Sequence, residues 1–185
     1  MKQTIRTNTF ETNSSSLHTL TISKTDANPE SLNDLDFNVY LGAFGWEKES
    51  YTNPVAIVQY LWTLVHYAGV NNKYMKLMKE WLPNCNFIEP ESLCIEHDNN
   101  GEFYDMDYAD GYIDHAHDWL DSVYNCYTNK TIGSAPIDEI FSSKEMFANL
   151  VLNGRLATWN DNDDTNADPE FLEPKNAVEV FYKGN

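Results

Sequence analysis

Residues 53–69 read NPVAIVQYLWTLVHYAG and include the longest apolar stretch of the chain. Asn53 followed by Pro54 is a typical helix start, because Asn caps the first turn and Pro fits its first position. Apolar residues then recur at helical spacing, and Gly69 can end the helix. The stretch is too short and too often interrupted by polar residues to span a bilayer. The sequence therefore predicts an ordinary helix of a folded domain here.

Three more helices are predicted further along the chain. The second presents an apolar face over residues 74–82 and stops at the proline that follows. The third is predicted over residues 112–124. The fourth is predicted to begin at Ser142, whose spacing to Glu145 matches a capping box, and Gly154 follows its end.

Strand patterns lie mainly at the two ends of the chain. β-branched and aromatic residues alternate roughly with polar ones in residues 4–10, 17–22, 37–41, 86–88, 93–95 and 177–182. Strands at both ends with helices between them predict an α+β fold. We expect a single domain over residues 1–185, with a small, mostly antiparallel sheet and about four helices packed on it.

The composition indicates a folded protein of a reducing compartment. Hydrophobic residues make up 42% of the 185 residues and aromatic residues 14%, which is enough for a core. The three cysteines form no CxxC pair, so neither a disulfide framework nor a thiolate zinc site is expected. Residues 1–8 show no apolar signal region. We expect a cytoplasmic protein without a cofactor.

The net charge is −17, from 29 acidic and 12 basic side chains. Such a charge repels phosphates, so direct binding to nucleic acid or to an anionic membrane is not expected. It favours solubility, cations, or a partner with a basic surface.

The negative charge is concentrated in residues 80–129, which we call the acidic tract. The acidic tract contains twelve acidic side chains and no lysine or arginine. Asp114, Asp118 and Asp121 would share one face of the predicted third helix, where like charges repel one another. Tyrosines are interleaved with the carboxylates, a pattern that can imitate the phosphates and bases of a nucleic acid. The candidate contacts with a partner are Asp105, Asp107, Asp110, Asp114, Asp118 and Asp121, followed by Glu96, Asp98 and Glu102.

Three interpretations of the acidic tract stay open at this stage: a solvated face, a site for a basic protein, and a site for a divalent cation. His115 and His117 form an HxH pair, but residues two apart on a helix point to different faces. Residues 105–111 resemble a calcium loop only faintly, because the spacing breaks the required pattern. Neither motif defines a metal site, so no metal ligands are assigned.

A second candidate site is the polar segment near the start of the chain. Its loop of hydroxyl and amide side chains could bind a ligand, with positive charge supplied by Arg6 and His18. Mono-ADP-ribosyltransferases also carry an arginine, a serine-rich strand and a Glu-x-Glu motif in that order, whereas Pro90 splits the glutamates here. The P-loop, Rossmann and HExxH motifs are missing from the sequence. The candidate ligand residues are Arg6, Asn13, Ser14, Ser15, Ser16 and His18.

Residues 10–18 read FETNSSSLH. This segment, with the short basic strand before it, resembles the opening of a family of uncharacterised proteins from phages and mobile elements of Gram-positive bacteria. Small acidic proteins of phage type include anti-CRISPR inhibitors of RNA-guided nucleases. The resemblance thus implies action in the cytoplasm of a bacterial host, with an acidic surface in the basic channel that normally holds nucleic acid.

The leading hypothesis from the sequence is a non-enzymatic inhibitor whose partner is a basic nucleic-acid-binding protein, most sharply a guide-loaded CRISPR nuclease. The alternative is an enzyme or nucleotide-ligand protein, similar to ADP-ribosyltransferases, that uses Arg6, the serines 14–16 and His18. A third hypothesis is an acidic phage assembly factor that forms a defined homo-oligomer.

Overall fold

The structure is a computed structural model that describes residues 16–45, 48–67, 72–89, 112–113, 124–125, 130–131, 136–160 and 176–183. The strands are β1 (Ser16–Ile22), β2 (Asn38–Val39), β3 (Ala43–Phe44), β4 (Glu49–Tyr51), β5 (Asn86–Phe87), β6 (Tyr112–Ile113), β7 (Tyr124–Asn125), β8 (Lys130–Thr131), β9 (Gly154–Asn160) and β10 (Glu179–Lys183). The helices are α1 (Pro54–Tyr67), α2 (Asn72–Trp81), α3 (Pro136–Ile140) and α4 (Lys144–Asn153), with a 3-10 helix at Pro29–Asp34.

The main sheet has four strands in the order β10-β1-β9-β4, and each neighbouring pair is antiparallel. Strand β1 lies between β10 and β9, with Leu20 opposite both Phe181 and Leu156. The first described strand and the last one are therefore neighbours. The predicted α+β class and its mostly antiparallel sheet are confirmed.

Helix α1 is the centre of the core. Asn53 caps it as predicted, since its Oδ1 accepts a hydrogen bond from the Ala56 amide at 2.8 Å. Its side chains are buried on nearly all sides, and Trp62 and Tyr60 are among the largest fully buried residues. Val55, at 37% exposure, faces outward at the first turn. A helix that is apolar all round must be enclosed by other elements, and α1 packs against α2, α4, β6 and β9.

Helix α4 begins one residue later than the sequence indicates. Its cap is Ser143, whose Oγ accepts a hydrogen bond from the Met146 amide at 3.1 Å. The predicted capping box of Ser142 and Glu145 is therefore wrong, because the adjacent serine takes the capping position. At the other end, Gly154 closes the helix and starts β9 without a loop.

The predicted third helix over residues 112–124 is wrong at both of its ends. Tyr112 and Ile113 form β6, which pairs in parallel with β3, and Tyr124 begins β7. Tyrosine and isoleucine are strand formers, and Ile113 is buried beside α1. Residues 114–123 lie outside the described part of the chain, as do the predicted strands 4–10 and 93–95.

The sequence patterns also do not predict the 3-10 helix, α3, β3, β4, β7, β8 or β9. In β9, Leu156 and Ala157 are both buried although they point to opposite faces of the sheet, so the strand has no polar alternation to reveal it. Within the described ranges, the structure contains no helix of the length and apolarity that a membrane crossing requires.

Candidate interaction site

The nine carboxylates predicted to contact a partner all lie outside the described residues. They belong to two segments of the sequence: six lie between Glu89 and β6, and three lie between β6 and β7. The residues concerned are Glu96, Asp98, Glu102, Asp105, Asp107, Asp110, Asp114, Asp118 and Asp121.

The charge of the protein is divided unequally between the described residues and the rest. The described residues carry nine basic and eleven acidic side chains, a net charge of −2. The other residues carry three basic and eighteen acidic side chains, a net charge of −15. The described residues are therefore almost neutral, and sixteen of the other eighteen acidic side chains lie in residues 91–121 and 161–173 of the sequence.

Glu89 is the last described residue before the longer of these acidic segments, and two cations hold it. Lys79 of α2 donates to Glu89 Oε1 at 2.6 Å, and His66 Nε2 of α1 lies 3.2 Å from Glu89 Oε2. Trp62 packs beside Lys79, whose Nζ lies 5.2 Å from the centre of the Trp62 ring. The indole of Trp62 donates a hydrogen bond to the Ile88 carbonyl at 3.4 Å. We call His66, Lys79 and Glu89 the carboxylate anchor.

His66 occupies an unusual position in the carboxylate anchor, because its side chain is only 3% exposed. Its Nδ1 lies 2.8 Å from the Trp62 carbonyl oxygen, and its Nε2 faces the Glu89 carboxylate. Both partners accept hydrogen bonds, so only the doubly protonated imidazolium can donate to both. In the sequence, His66 is recognisable only as a polar residue that interrupts the apolar stretch of α1. Its position four residues after Trp62 was the only signal that it shares a face with that residue.

Burial raises the pKa of the Glu89 carboxyl, but the hydrogen bonds and positive charges of Lys79 and His66 outweigh it. The pKa of Glu89 consequently lies below its ordinary value. A carboxyl with a lowered pKa in the folded state stabilises the fold above its ordinary pKa, and that contribution disappears as the pH falls through the folded value.

Replacing Glu89 by glutamine is expected to lower the free energy of unfolding at pH 6 by about 0.5–1 kcal/mol, since the pair is half exposed to solvent. The difference from the native protein should vanish in acid, where the Glu89 carboxyl is protonated. Urea unfolding across this pH range measures it. Glu80→Gln is the matched control, because Glu80 is exposed and forms no ion pair within the described ranges. Equal losses in both variants would contradict a specific anchor.

The second candidate site, the polar segment near the start, is only partly described. Ser16 begins β1 opposite Asn160. His18 is fully buried in β1, and its Nδ1 lies 2.7 Å from the Tyr60 hydroxyl of α1. The ring of His18 therefore packs between the sheet and α1, and its expected role as a positive group of a ligand site stays a prediction. Arg6, Asn13, Ser14 and Ser15 lie outside the described residues.

A polar contact joins α2 to α3. The Tyr74 hydroxyl donates to Asp138 Oδ1 at 2.5 Å, and Lys73 Nζ lies 3.7 Å from the same oxygen. Burial and the hydrogen bond and negative charge of Asp138 raise the pKa of Tyr74 from 10.0 to about 12. The contact joins α2 to α3 through the neutral form of Tyr74, which is the form that donates the hydrogen bond.

Replacing Tyr74 by phenylalanine is expected to cost about 1 kcal/mol at neutral pH, because one hydrogen bond is lost while ring packing on Phe141 is retained. A tyrosine with a raised pKa stabilises the fold below its ordinary pKa and loses that contribution as the pH rises to about 12. The native protein should therefore lose more stability than the variant between pH 10 and pH 12. Tyr40→Phe, at a half-exposed position, is the control. The same alkaline loss in native protein and Tyr74→Phe would contradict the role of Asp138.

Among the described residues, no three side chains of His, Cys, Asp or Glu are grouped closely enough to hold a metal ion. Cys85 is a free thiol whose Sγ lies 3.4 Å from the Leu35 carbonyl oxygen, and burial raises its pKa. A thiol with a raised pKa is a poor nucleophile at neutral pH, so Cys85 fills space between β5 and the 3-10 helix region.

Comparison with known proteins identifies no relative: no family model, no curated protein and no solved structure matches this chain.

Proposed function

We propose that the protein is a non-enzymatic, acidic interaction protein that acts in the cytoplasm of a bacterial host. Its partner is a basic nucleic-acid-binding protein, and the sharpest case is a guide-loaded CRISPR nuclease whose nucleic-acid channel it occupies. The observation that carries the proposal is the division of charge. Residues 90–129 carry ten carboxylates and no lysine or arginine, whereas the described residues have a net charge of only −2.

Solubility alone does not require such a division. A soluble surface needs charges of both signs distributed over it, and the described scaffold already has nine basic and eleven acidic side chains. An unbroken negative segment instead produces a directed field, which raises the rate of encounter with a positive surface. The aromatic residues Phe103, Tyr104 and Tyr108 lie among the carboxylates, where they add flat surfaces that can take the place of bases.

The carboxylate anchor supports the same proposal from the scaffold side. Lys79 and His66 neutralise Glu89 locally, so the free negative charge of the acidic segment begins after that residue. These contacts also hold Glu89 against α1 and α2, and Glu89 is the residue after which the acidic segment begins. A fixed point of departure reduces the conformational entropy lost when the segment binds.

The proposal is tested by target-DNA cleavage with a panel of guide-loaded type II CRISPR nucleases, titrated with the protein at two salt concentrations. We expect dose-dependent protection that weakens at the higher salt concentration, because charges exposed to solvent are screened. Complete cleavage by every nuclease at excess protein would overturn the sharp form of the proposal. A pull-down of unrelated basic nucleic-acid-binding proteins under the same conditions separates a selective partner from general attraction to positive charge.

A further inference from the structure

The two edges of the main sheet differ in length. The sheet ends in β4 on one side and in β10 on the other, and β4 has three residues whereas β10 has five. Among the described strands, none pairs with the outer side of β10. An edge strand presents amide and carbonyl groups that can bind another strand, and a very short edge limits that capacity. The outer edge of β10 is therefore the better suited of the two to bind a further strand.

Hydrogen bonds beside the sheet show which residues of β10 face β1. The Ser23 amide donates to the Asn153 carbonyl at 3.2 Å, so Ser23 faces the start of β9. The Ile22 carbonyl accepts a hydrogen bond from the Val178 amide at 2.7 Å, so Ile22 faces β10. Backbone direction alternates along a strand, and every second residue of β1 before Ile22 therefore faces β10 as well. Their register partners, which face β1 in turn, are Glu179, Phe181 and Lys183.

The other two residues of β10, Val180 and Tyr182, turn their amide and carbonyl groups to the outer edge. Natural edge strands are often blocked by proline or by a charge at their centre. The centre of β10, residues 180–182, reads VFY and contains neither. A second strand can therefore pair with this edge through both outward-facing residues.

Two copies of β10 fit each other in an antiparallel register centred on Phe181. Outward-facing residues must meet one another, so Val180 pairs with Tyr182 of the second copy and Tyr182 with Val180 of the second copy, through about four backbone hydrogen bonds in all. A register centred on Val180 would instead bring Tyr182 opposite Val178, whose amide already donates to Ile22. A register centred on Tyr182 would extend past the end of β10.

The same register brings opposite charges together at both ends of the pairing. Glu179, which is exposed, stands opposite Lys183 of the second copy, and Lys183 stands opposite Glu179 of the second copy. These are positions without mutual hydrogen bonds, where the Cα atoms of facing residues lie about 4.5 Å apart. Opposite charges at facing positions stabilise antiparallel strands, whereas like charges destabilise them. The sequence of β10 is therefore complementary to itself in this register.

We infer that the outer edge of β10 is an interaction surface for a second copy of this chain, and that the two copies pair β10 to β10, antiparallel and centred on Phe181. A two-fold axis passes between the two Phe181 residues, so each copy offers the same surface to the other. The four strands of each copy join into one sheet of eight. The inference goes beyond the proposed function and does not depend on it.

Sedimentation equilibrium on the full chain measures the dimer. Each copy carries a net charge of −17, so the measurement uses about 0.5 M salt, which screens the repulsion between the copies. We expect a monomer–dimer equilibrium, and a protein that stays monomeric at millimolar concentration would overturn the inference.

Charge variants test the register. Glu179→Lys places lysine opposite lysine at both ends and should raise the dimer dissociation constant roughly tenfold, although it reduces the net charge. Adding Lys183→Glu to this variant restores opposite charges and should restore the native dissociation constant. A Glu179→Lys variant that associates as well as the native protein, or a double variant no stronger than Glu179→Lys alone, would overturn the inference.

Amide hydrogen exchange locates the contact. Exchange of the outward-facing Val180 amide should slow as the protein concentration rises, whereas the Phe181 amide, which faces β1, should be protected at every concentration. Ser50 of β4 is the matched control on the other edge. Its partner Ala157 faces β1, so the Ser50 amide also points out of the sheet, and its exchange should not depend on concentration. Slowing at Ser50 without slowing at Val180 would overturn the inference.

Val180→Pro removes the outward amide while leaving the hydrogen bonds between β10 and β1 in place, and proline is tolerated in an edge strand where its nitrogen faces outward. This variant should remain monomeric with an unchanged circular dichroism spectrum. A dimer of native strength in Val180→Pro would overturn the inference. If this variant does not fold, the charge variants and the exchange of the Val180 amide decide the question.

Discussion

Gly154→Ala is expected to destabilise the protein by about 3 kcal/mol or more, which is at the upper end of the range for overpacked sites. A Cβ atom at this position would lie 2.0 Å from the Leu150 carbonyl oxygen and 2.9 Å from its carbonyl carbon. The φ of −95° is open to any residue, so the obstacle is collision with backbone and not conformational strain. Backbone in the last turn of α4 cannot move without displacing Leu150 and Val151 from the core.

The consequence extends beyond α4, because Gly154 is also the first residue of β9 and pairs with Ile22 of β1. Chemical unfolding followed by circular dichroism measures the loss. Gly42→Ala is the matched control, since its Cβ would meet only the ring of Phe44, at 2.5 Å, and a side chain can shift more readily than backbone. A loss at Gly154 no larger than that at Gly42 would contradict the close helix-to-strand junction.

The helices and strands that the sequence predicts well are those with local signals. Asn53 and Pro54 mark the start of α1, and the apolar spacing identifies α2, so both helices are found close to their true bounds. Strand β1 is likewise found to within one residue. In each case the signal is contained in a window of a few residues, where capping and periodicity act.

The parts that the sequence did not predict depend on tertiary contacts. Strand β9 is buried on both faces, so no alternation marks it, and β6 is a strand only because it pairs with β3, some seventy residues earlier in the chain. The carboxylate anchor joins α1, α2 and the residue after β5. No local pattern connects His66, Lys79 and Glu89, because their proximity results from the packing of α1 on α2. The separation of charge, by contrast, was visible in the sequence from the start.

The largest functional effect is expected from changing Asp114, Asp118 and Asp121 to asparagine together. Against a nuclease that the protein inhibits, this variant should need a roughly tenfold higher concentration for the same protection at low salt, from about 0.5 kcal/mol for each exposed charge. The segment between β6 and β7 loses all of its carboxylates in this variant, since Asp114, Asp118 and Asp121 are its only acidic side chains. Cleavage titrations at two salt concentrations measure the change.

The control distinguishes the effect of where the charges lie from the effect of the net charge of the protein. Asp34→Asn, Asp36→Asn and Glu179→Gln together change the net charge by the same amount at exposed positions of the scaffold. If the acidic segments contact the partner directly, only the first variant loses inhibition, and its loss shrinks as salt screens the remaining carboxylates. Equal losses would mean that total charge alone matters, and unchanged inhibition in the first variant would remove this segment from the interface. The expectation does not need the three aspartates to share a helix face, which the strands at Tyr112–Ile113 and Tyr124–Asn125 no longer support. The expected loss of inhibition requires only that the three aspartates are charged in the native protein and lie within one short segment of the sequence.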